Sequence, residues 1–248
     1  LKSGTMVALK SSLNKYLLPL PGWRRWLKRL QAESIPWPGC FLYNAVSTTS
    51  IFQKHYELAA EDITKYCSNG KLLDIGTGPG WLLLKLQKLA PALNLTGMDI
   101  SADMVKKARE NIARAKVSAS ILLEQGSADL LPYADNSFDM VVSTQSLHHW
   151  KNPVRGFNEI FRILKDGGRA RIYDIVTDVP SAVFQNSARE YGWLKLLMLW
   201  IHACEEPFYS RQATLELAGL SLFQKGTLEF IGVLCCLDME KKLQKNFH

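Results

Sequence analysis

The cysteine patterns that bind metals or build disulfide frameworks are missing from this 248-residue sequence. Its five cysteines (Cys40, Cys67, Cys204, Cys235 and Cys236) are odd in number and contain no C-x-x-C pair. That argues against a disulfide framework and against a zinc or iron–sulfur centre, so no metal is expected, and it fits a reducing cytoplasm. Long hydrophobic runs are missing too. The longest, Trp193–Cys204, is interrupted by Lys195 and falls short of the roughly 20 residues that cross a bilayer. No secretory pattern with an A-x-A-like cleavage site is visible, which again predicts a cytoplasmic protein.

Acidic residues are absent from the first 32 positions, which hold Lys2, Lys10, Lys15, Arg24, Arg25, Lys28 and Arg29. The net charge of +7 therefore belongs to this segment, because the other 23 basic residues are balanced by 23 acids. Within it, Trp23, Trp26, Leu27 and Leu30 fall on one helical face and the arginines and lysines on the other. The sequence thus divides into a basic arm or lid over 1–40 and a globular domain over 41–248. The arm is expected to help close a ligand pocket. Contact with an anionic membrane surface through residues 1–32 is a weaker expectation, and stable nucleic-acid binding is not expected.

From Lys71 onward short apolar runs alternate with helix-period segments. This is the pattern of a parallel sheet with crossover helices. Strands are predicted at Lys71–Ile75, Leu93–Met98, Ser120–Glu124, Phe138–Ser143 and Arg169–Val176. Helices are predicted at Trp81–Ala90, after the cap Ser101, after Asn152-Pro153, and near 181–204 and 210–218. Ser221–Leu237 reads as a β-hairpin about Gly226. The predicted fold is α/β, a doubly wound, mostly parallel seven-stranded sheet with an antiparallel C-terminal hairpin. Ligands of such sheets bind outside the carboxyl ends of the strands.

At that rim stands Leu72-Leu-Asp-Ile-Gly-Thr-Gly-Pro-Gly80. A dinucleotide loop would be spaced G-x-G-x-x-G, but here the sixth place holds Trp81. Asp74 two residues before the first glycine would repel a phosphate and attract a cation. Asp99 ends the second strand, where a carboxylate can accept both hydroxyls of a ribose. Asp129 follows the third strand and can accept from an adenine amino group or simply cap a turn. Together these acids describe a site for an adenosine without phosphates.

These residues, with Gly97-Met-Asp-Ile-Ser101, Gly126-Ser-Ala-Asp129, Ser137-Phe-Asp-Met-Val-Val-Ser143, Leu147-His-His-Trp150 and Leu164-Lys-Asp-Gly-Gly168, resemble the class I S-adenosylmethionine-dependent methyltransferases. The subgroup that looks closest is that of the ubiquinone/menaquinone C-methyltransferases and other small-molecule methylases. The resemblance covers about 50–237 and is strong over 70–175. It implies S-adenosylmethionine as cofactor, with Asp74, Gly76, Thr77, Gly78 and Gly80 on its amino-acid side and Asp99 on the ribose. Asp129 would take the adenine amino group beside Ser127 and Ala128, with Ile100 and Leu130 against the ring. Backbone at Ser143 and Gln145 would lie near the ammonium.

His148 and His149 just beyond the fourth strand are the candidate general bases, since an imidazole titrates near neutrality. Aromatic groups at Tyr43, Phe52, His55 and Tyr56, and at Tyr191, Trp193, Trp200 and His202, are the candidate cover of an acceptor pocket. No Asn/Asp-Pro-Pro-Tyr/Phe follows the fourth strand, where Ser143-Thr-Gln-Ser146 stands, and no Pro-Cys does either. Amine methylation of adenine or glutamine and C5 methylation of cytosine are therefore disfavoured, leaving a small, fairly apolar acceptor. Two alternatives remain at this stage: a nucleic-acid or protein methyltransferase that docks through the basic arm, and a non-catalytic S-adenosylmethionine-binding protein.

Overall fold

The computed structural model describes residues 49–117, 121–192 and 208–242. The basic arm, Tyr43 and the aromatic stretch Trp193–His202 lie outside the described residues. Helix α1 (Ser50–Thr64) leads into β1 (Gly70–Ile75), α2 (Trp81–Leu89), β2 (Leu93–Asp99), α3 (Ala102–Arg114) and β3 (Ile121–Gln125). Then come β4 (Phe138–Thr144), a 3-10 turn (Leu147–His149), α4 (Pro153–Ile163), β5 (Leu164–Asp174), α5 (Ser181–Tyr191), α6 (Arg211–Leu220), β6 (Thr227–Ile231) and β7 (Leu234–Glu240). One seven-stranded sheet has the order β3-β2-β1-β4-β5-β7-β6. Strands β1 to β5 pair parallel, while β7 pairs antiparallel with both β5 and β6. The sheet reverses direction of growth between β1 and β4, which makes their carboxyl ends the switch point.

Alternation along the buried strands feeds two cores. Leu72, Met140, Val142 and Tyr173 join α1 and α2 on one face, and Leu73, Val141, Ala170 and Ile172 join α4 and α6 on the other. Both faces are covered, so the strands read as nearly continuous apolar runs rather than as polar–apolar alternation. Ser101 caps α3 by accepting from the Met104 amide, and Asn152 caps α4 by accepting from the Arg155 amide, both as expected.

Three expectations need correcting. The hairpin turns at Gly232-Val233, not at Gly226: Ile231 pairs with Leu234, and Gly232 takes φ 62. Gly226 is glycine because a Cβ there would meet Leu237 Cδ1 at 2.6 Å. The fifth strand begins at Leu164, because Gly167-Gly168 forms an irregularity inside the strand rather than a turn before it. Helix α5 stops at Tyr191, followed by Gly192 at φ 84, so no single helix runs from 181 to 204. Helix α1 was not anticipated as an element. Among the described residues no helix is long and apolar enough to cross a membrane.

Candidate active site

The glycine loop begins where β1 ends. Gly76, Gly78 and Gly80 all have positive φ, at 72°, 52° and 80°. The Gly76 and Thr77 amides both donate to the Met98 carbonyl, at 2.8 and 3.0 Å, fastening the loop to β2. A Cβ on Gly76 would lie 2.4 Å from Ser146 Oγ, so this position is closed to any side chain. Gly80 backs onto α3, where a Cβ would meet Ala108 Cβ at 3.2 Å. Trp81 starts α2 and packs half-buried against the core under α1, which explains a bulky residue in the sixth place.

Asp74 is buried at the end of β1 and accepts at Oδ2 from Thr77 Oγ1 at 2.8 Å. Its Oδ1 has no hydrogen-bond partner. Burial, with the like charge of Asp99 adding to it and the Thr77 bond opposing, pushes its carboxyl up to about 7. A second buried group with no partner, Thr144 Oγ1, stands two residues beyond Val142, the residue in register with Asp74. By strand alternation both groups point to the sheet face covered by α1.

Asp99 accepts from the Gly78 amide at 2.8 Å through Oδ2 and from the Ser101 amide at 2.9 Å through Oδ1. It therefore locks the glycine loop to the start of α3, and burial raises its pKa against those amide bonds. Ile100 follows it half-buried, its carbonyl accepting from Gln125 Nε2 at 3.1 Å. Ser127 to Leu130 form a tight turn. The Asp129 amide donates to Ser127 Oγ at 3.3 Å and the Leu130 amide to the Ser127 carbonyl at 3.2 Å. Ala128 is buried, Ser127 and Asp129 are half-buried, and Leu130 is 68% exposed, so this end of the rim faces outward. The Gly126 amide donates to the Asp99 carbonyl at 3.0 Å, so the three acidic positions form one continuous rim.

Beyond β4 the chain turns through Gln145, a non-glycine residue at φ 56. The Gln145 amide donates to the Tyr173 carbonyl at 2.7 Å, and its side-chain Nε2 lies 3.3 Å from His55 Nδ1 on α1. His55 is fully buried, which pushes its pKa down to about 4. Ser143 Oγ and Ser146 Oγ are 2.6 Å apart, and Ser146 Oγ also donates to the Ile75 carbonyl and accepts from Trp150 Nε1. Ser146 is the residue that fits the β4 turn against the glycine loop, and its role was not foreseen.

His148 and His149 occupy the 3-10 turn, with ring centroids 4.0 Å apart. His148 is the buried one. Its Nδ1 lies 2.9 Å from Asp174 Oδ2, and its ring centroid is 4.1 Å from that of Phe208. Of the expected aromatic cover, Phe52, His55 and Tyr56 are all buried on α1, with Phe52 and Tyr56 part of the core on that face of the sheet.

A model of the methyltransferase domain matches residues 73–172, the stretch that contains the whole rim. Over that stretch the chain is similar to the methyltransferase domain family. The chain is 30% identical over 134 residues to the ubiquinone/menaquinone biosynthesis C-methyltransferase of Geotalea daltonii, covering 54% of this chain and 56% of that protein. It is 36% identical over 112 residues to the rice chloroplastic 2-methyl-6-phytyl-1,4-hydroquinone methyltransferase 1, covering 45% of this chain and 33% of the other. The chain thus spans little more than half the length of the Geotalea daltonii relative. A solved structure from Methanococcus maripaludis superimposes on 88% of the chain and 98% of its own, with a TM-score of 0.67 at 23% identity. At that identity the likeness speaks to the fold, and the fold is the one predicted.

Proposed function

We propose that this chain transfers a methyl group from S-adenosylmethionine to a small, fairly apolar acceptor, with His148 taking the acceptor's proton. The observation that carries the cofactor assignment is Asp74 Oδ1, a buried carboxylate oxygen without a protein partner beside a glycine loop. Such a group takes a hydrogen-bond donor, most strongly one of positive charge, which an amino-acid ammonium supplies and a pyrophosphate does not. The residues present fit the cofactor. Asp74 and the glycine loop would hold its amino-acid part, Asp99 the ribose, and Asp129, Ile100 and Leu130 the adenine. When bound, S-adenosylmethionine supplies a methyl group already activated by a sulfonium leaving group. The chain then has to align the acceptor, exclude water and remove a proton.

The relatives named for ubiquinone/menaquinone biosynthesis and for a phytyl hydroquinone support a hydroquinone-type acceptor. A phenolic hydroxyl is acidic enough for an imidazole to accept its proton, and the aromatic and apolar groups of α1 suit a ring. The basic segment 1–32 is assigned to closing that pocket, and the enzyme to the cytoplasm, which the free thiols of Cys235 and Cys236 support.

Calorimetry tests the cofactor reading. S-adenosylhomocysteine should bind and NAD should not, and Asp99→Asn should weaken the former by about 1–3 kcal/mol by removing a charged acceptor from the ribose. Asparagine is preferred over alanine because Asp99 also holds the Gly78 and Ser101 amides. Tight NAD binding would end this reading.

A further inference from the structure

We infer that Asp174, at the carboxyl end of β5, is the positioning residue for His148: it fixes the proton on Nδ1 and leaves Nε2 as the nitrogen that accepts the acceptor's proton. The inference rests on the reading of His148 as the base. It adds a residue that the sequence pattern did not single out, 26 positions away in the chain.

The argument begins with the carboxylate. Oδ1 accepts from the Ile175 amide at 2.8 Å and lies 3.1 Å from His148 Nδ1. Oδ2 lies 2.9 Å from Nδ1 and accepts from the His148 amide at 3.2 Å. Two backbone N–H groups therefore hold the carboxylate in a set orientation, and the imidazole approaches both of its oxygens. An ionised carboxylate can only accept, so the nitrogen facing it has to carry the hydrogen. In a neutral imidazole the other nitrogen, Nε2, then holds the lone pair. The side chains of His148 and Asp174 are only 4% and 9% exposed, so little water competes for this bond.

The frame around the pair is rigid. Asp174 sits in the β5–β7 ladder opposite Cys235, while the Gln145 amide ties the end of β4 to the Tyr173 carbonyl. The His149 and Phe208 rings lie tilted against the His148 ring at 4.0 and 4.1 Å between centroids, limiting its rotation. A ring held in one tautomer and one orientation at the strand rim is what a general base requires. In the proton transfer the acceptor's O–H bond breaks, its electron pair stays on oxygen, and the hydrogen bonds to Nε2. The imidazolium that results keeps its Nδ1–H on the Asp174 carboxylate and returns its proton to water after the product leaves.

Asp174→Asn is the decisive variant, because it keeps the shape but can present an amide N–H to Nδ1. That reverses the tautomer, placing the hydrogen on Nε2 and removing the lone pair. Long-range 15N–1H NMR of histidine-labelled protein should show His148 protonated at Nδ1 in the wild type and at Nε2 in Asp174→Asn. With 2-methyl-6-phytyl-1,4-hydroquinone as the probe acceptor, kcat should fall about 100-fold or more, with S-adenosylhomocysteine affinity unchanged. Asp174→Glu should recover part of the rate. A wild-type His148 with its proton on Nε2, wild-type kcat in Asp174→Asn, or loss of rate and cofactor affinity together would each overturn the assignment. If the wild type methylates no hydroquinone, the acceptor reading fails, while the wild-type tautomer measurement still decides the role of Asp174.

Discussion

Asp74 concentrates the electrostatics of the site in one side chain. Its carboxyl is raised from 3.8 to about 7, mainly by burial, so the ligand-free fold holds a proton there that the unfolded chain gives up near pH 4. Stability from this group is therefore fully present below about pH 4 and is lost as pH rises through about 7. The amount is up to about 4 kcal/mol, and Asp74→Asn should flatten that part of the urea-unfolding profile between pH 4 and 7.5. If Asp74 holds the cofactor's ammonium as proposed, binding reverses the preference and expels the proton. S-adenosylhomocysteine affinity should accordingly rise with pH by as much as about tenfold per unit below pH 7 and level off above it. Calorimetry in buffers of different ionisation enthalpy should show proton release for the wild type and none for Asp74→Asn; equal release in both would remove Asp74 from the ammonium site.

Among the elements, α1 is tied down by buried charge at its C-terminal end. Arg171 on β5 is fully buried and donates to Tyr173 Oη at 2.9 Å, to Asp238 at 3.2 Å, and to Asp62 and Glu229. Tyr173 Oη also donates to Asp62 at 2.8 Å, and the Tyr66 ring lies 4.3 Å from the guanidinium carbon. Among the described residues the one cluster with metal-ligand geometry, Asp62, Glu229 and Cys236, surrounds this same guanidinium, so a cation already stands there. The network pins the end of α1, the helix whose His55 meets Gln145 at the rim, to β5, β6 and β7. Arg171→Ala strands Asp62 without its cation and should cost about 3–5 kcal/mol in urea unfolding. Hydrogen exchange in α1 should speed up more than in α4, which packs on the opposite face of the sheet.

At the scale of the molecule, the whole excess of positive charge lies in residues 1–32, so the charge of the arm can be varied without touching the rim. If the arm closes the acceptor pocket, removing residues 1–32 should raise the acceptor's KM more than it changes S-adenosylhomocysteine affinity. Vesicles of anionic lipid should bind the full chain weakly, and less so with added salt, since screening shortens the reach of surface charge. An unchanged KM together with lost vesicle binding would assign the arm to the membrane instead.

The sequence by itself determined the parallel sheet, its hairpin edge, the glycine loop and the line of acids at 74, 99 and 129. These are local: a strand end, its loop and the following cap lie within a few residues, and the period of apolar positions fixes which way they face. Boundaries that depended on long-range pairing were less legible, as with the start of β5 at Leu164 and the hairpin turn at Gly232, because the partner strand decides them. Helix α1 precedes the first strand and so falls outside the strand–helix alternation that begins at Lys71. Only the tertiary structure could join His148 to Asp174, Gln145 to His55 and Arg171 to Asp62, which are 26, 90 and 109 positions apart. A hydrogen bond between strand ends or across a packed helix leaves no spacing in the chain, since the sheet order β1-β4-β5 brings the partners together. The orphaned oxygen of Asp74 belongs to the same class, because solvent exclusion is a property of everything packed around a residue and not of the residue itself.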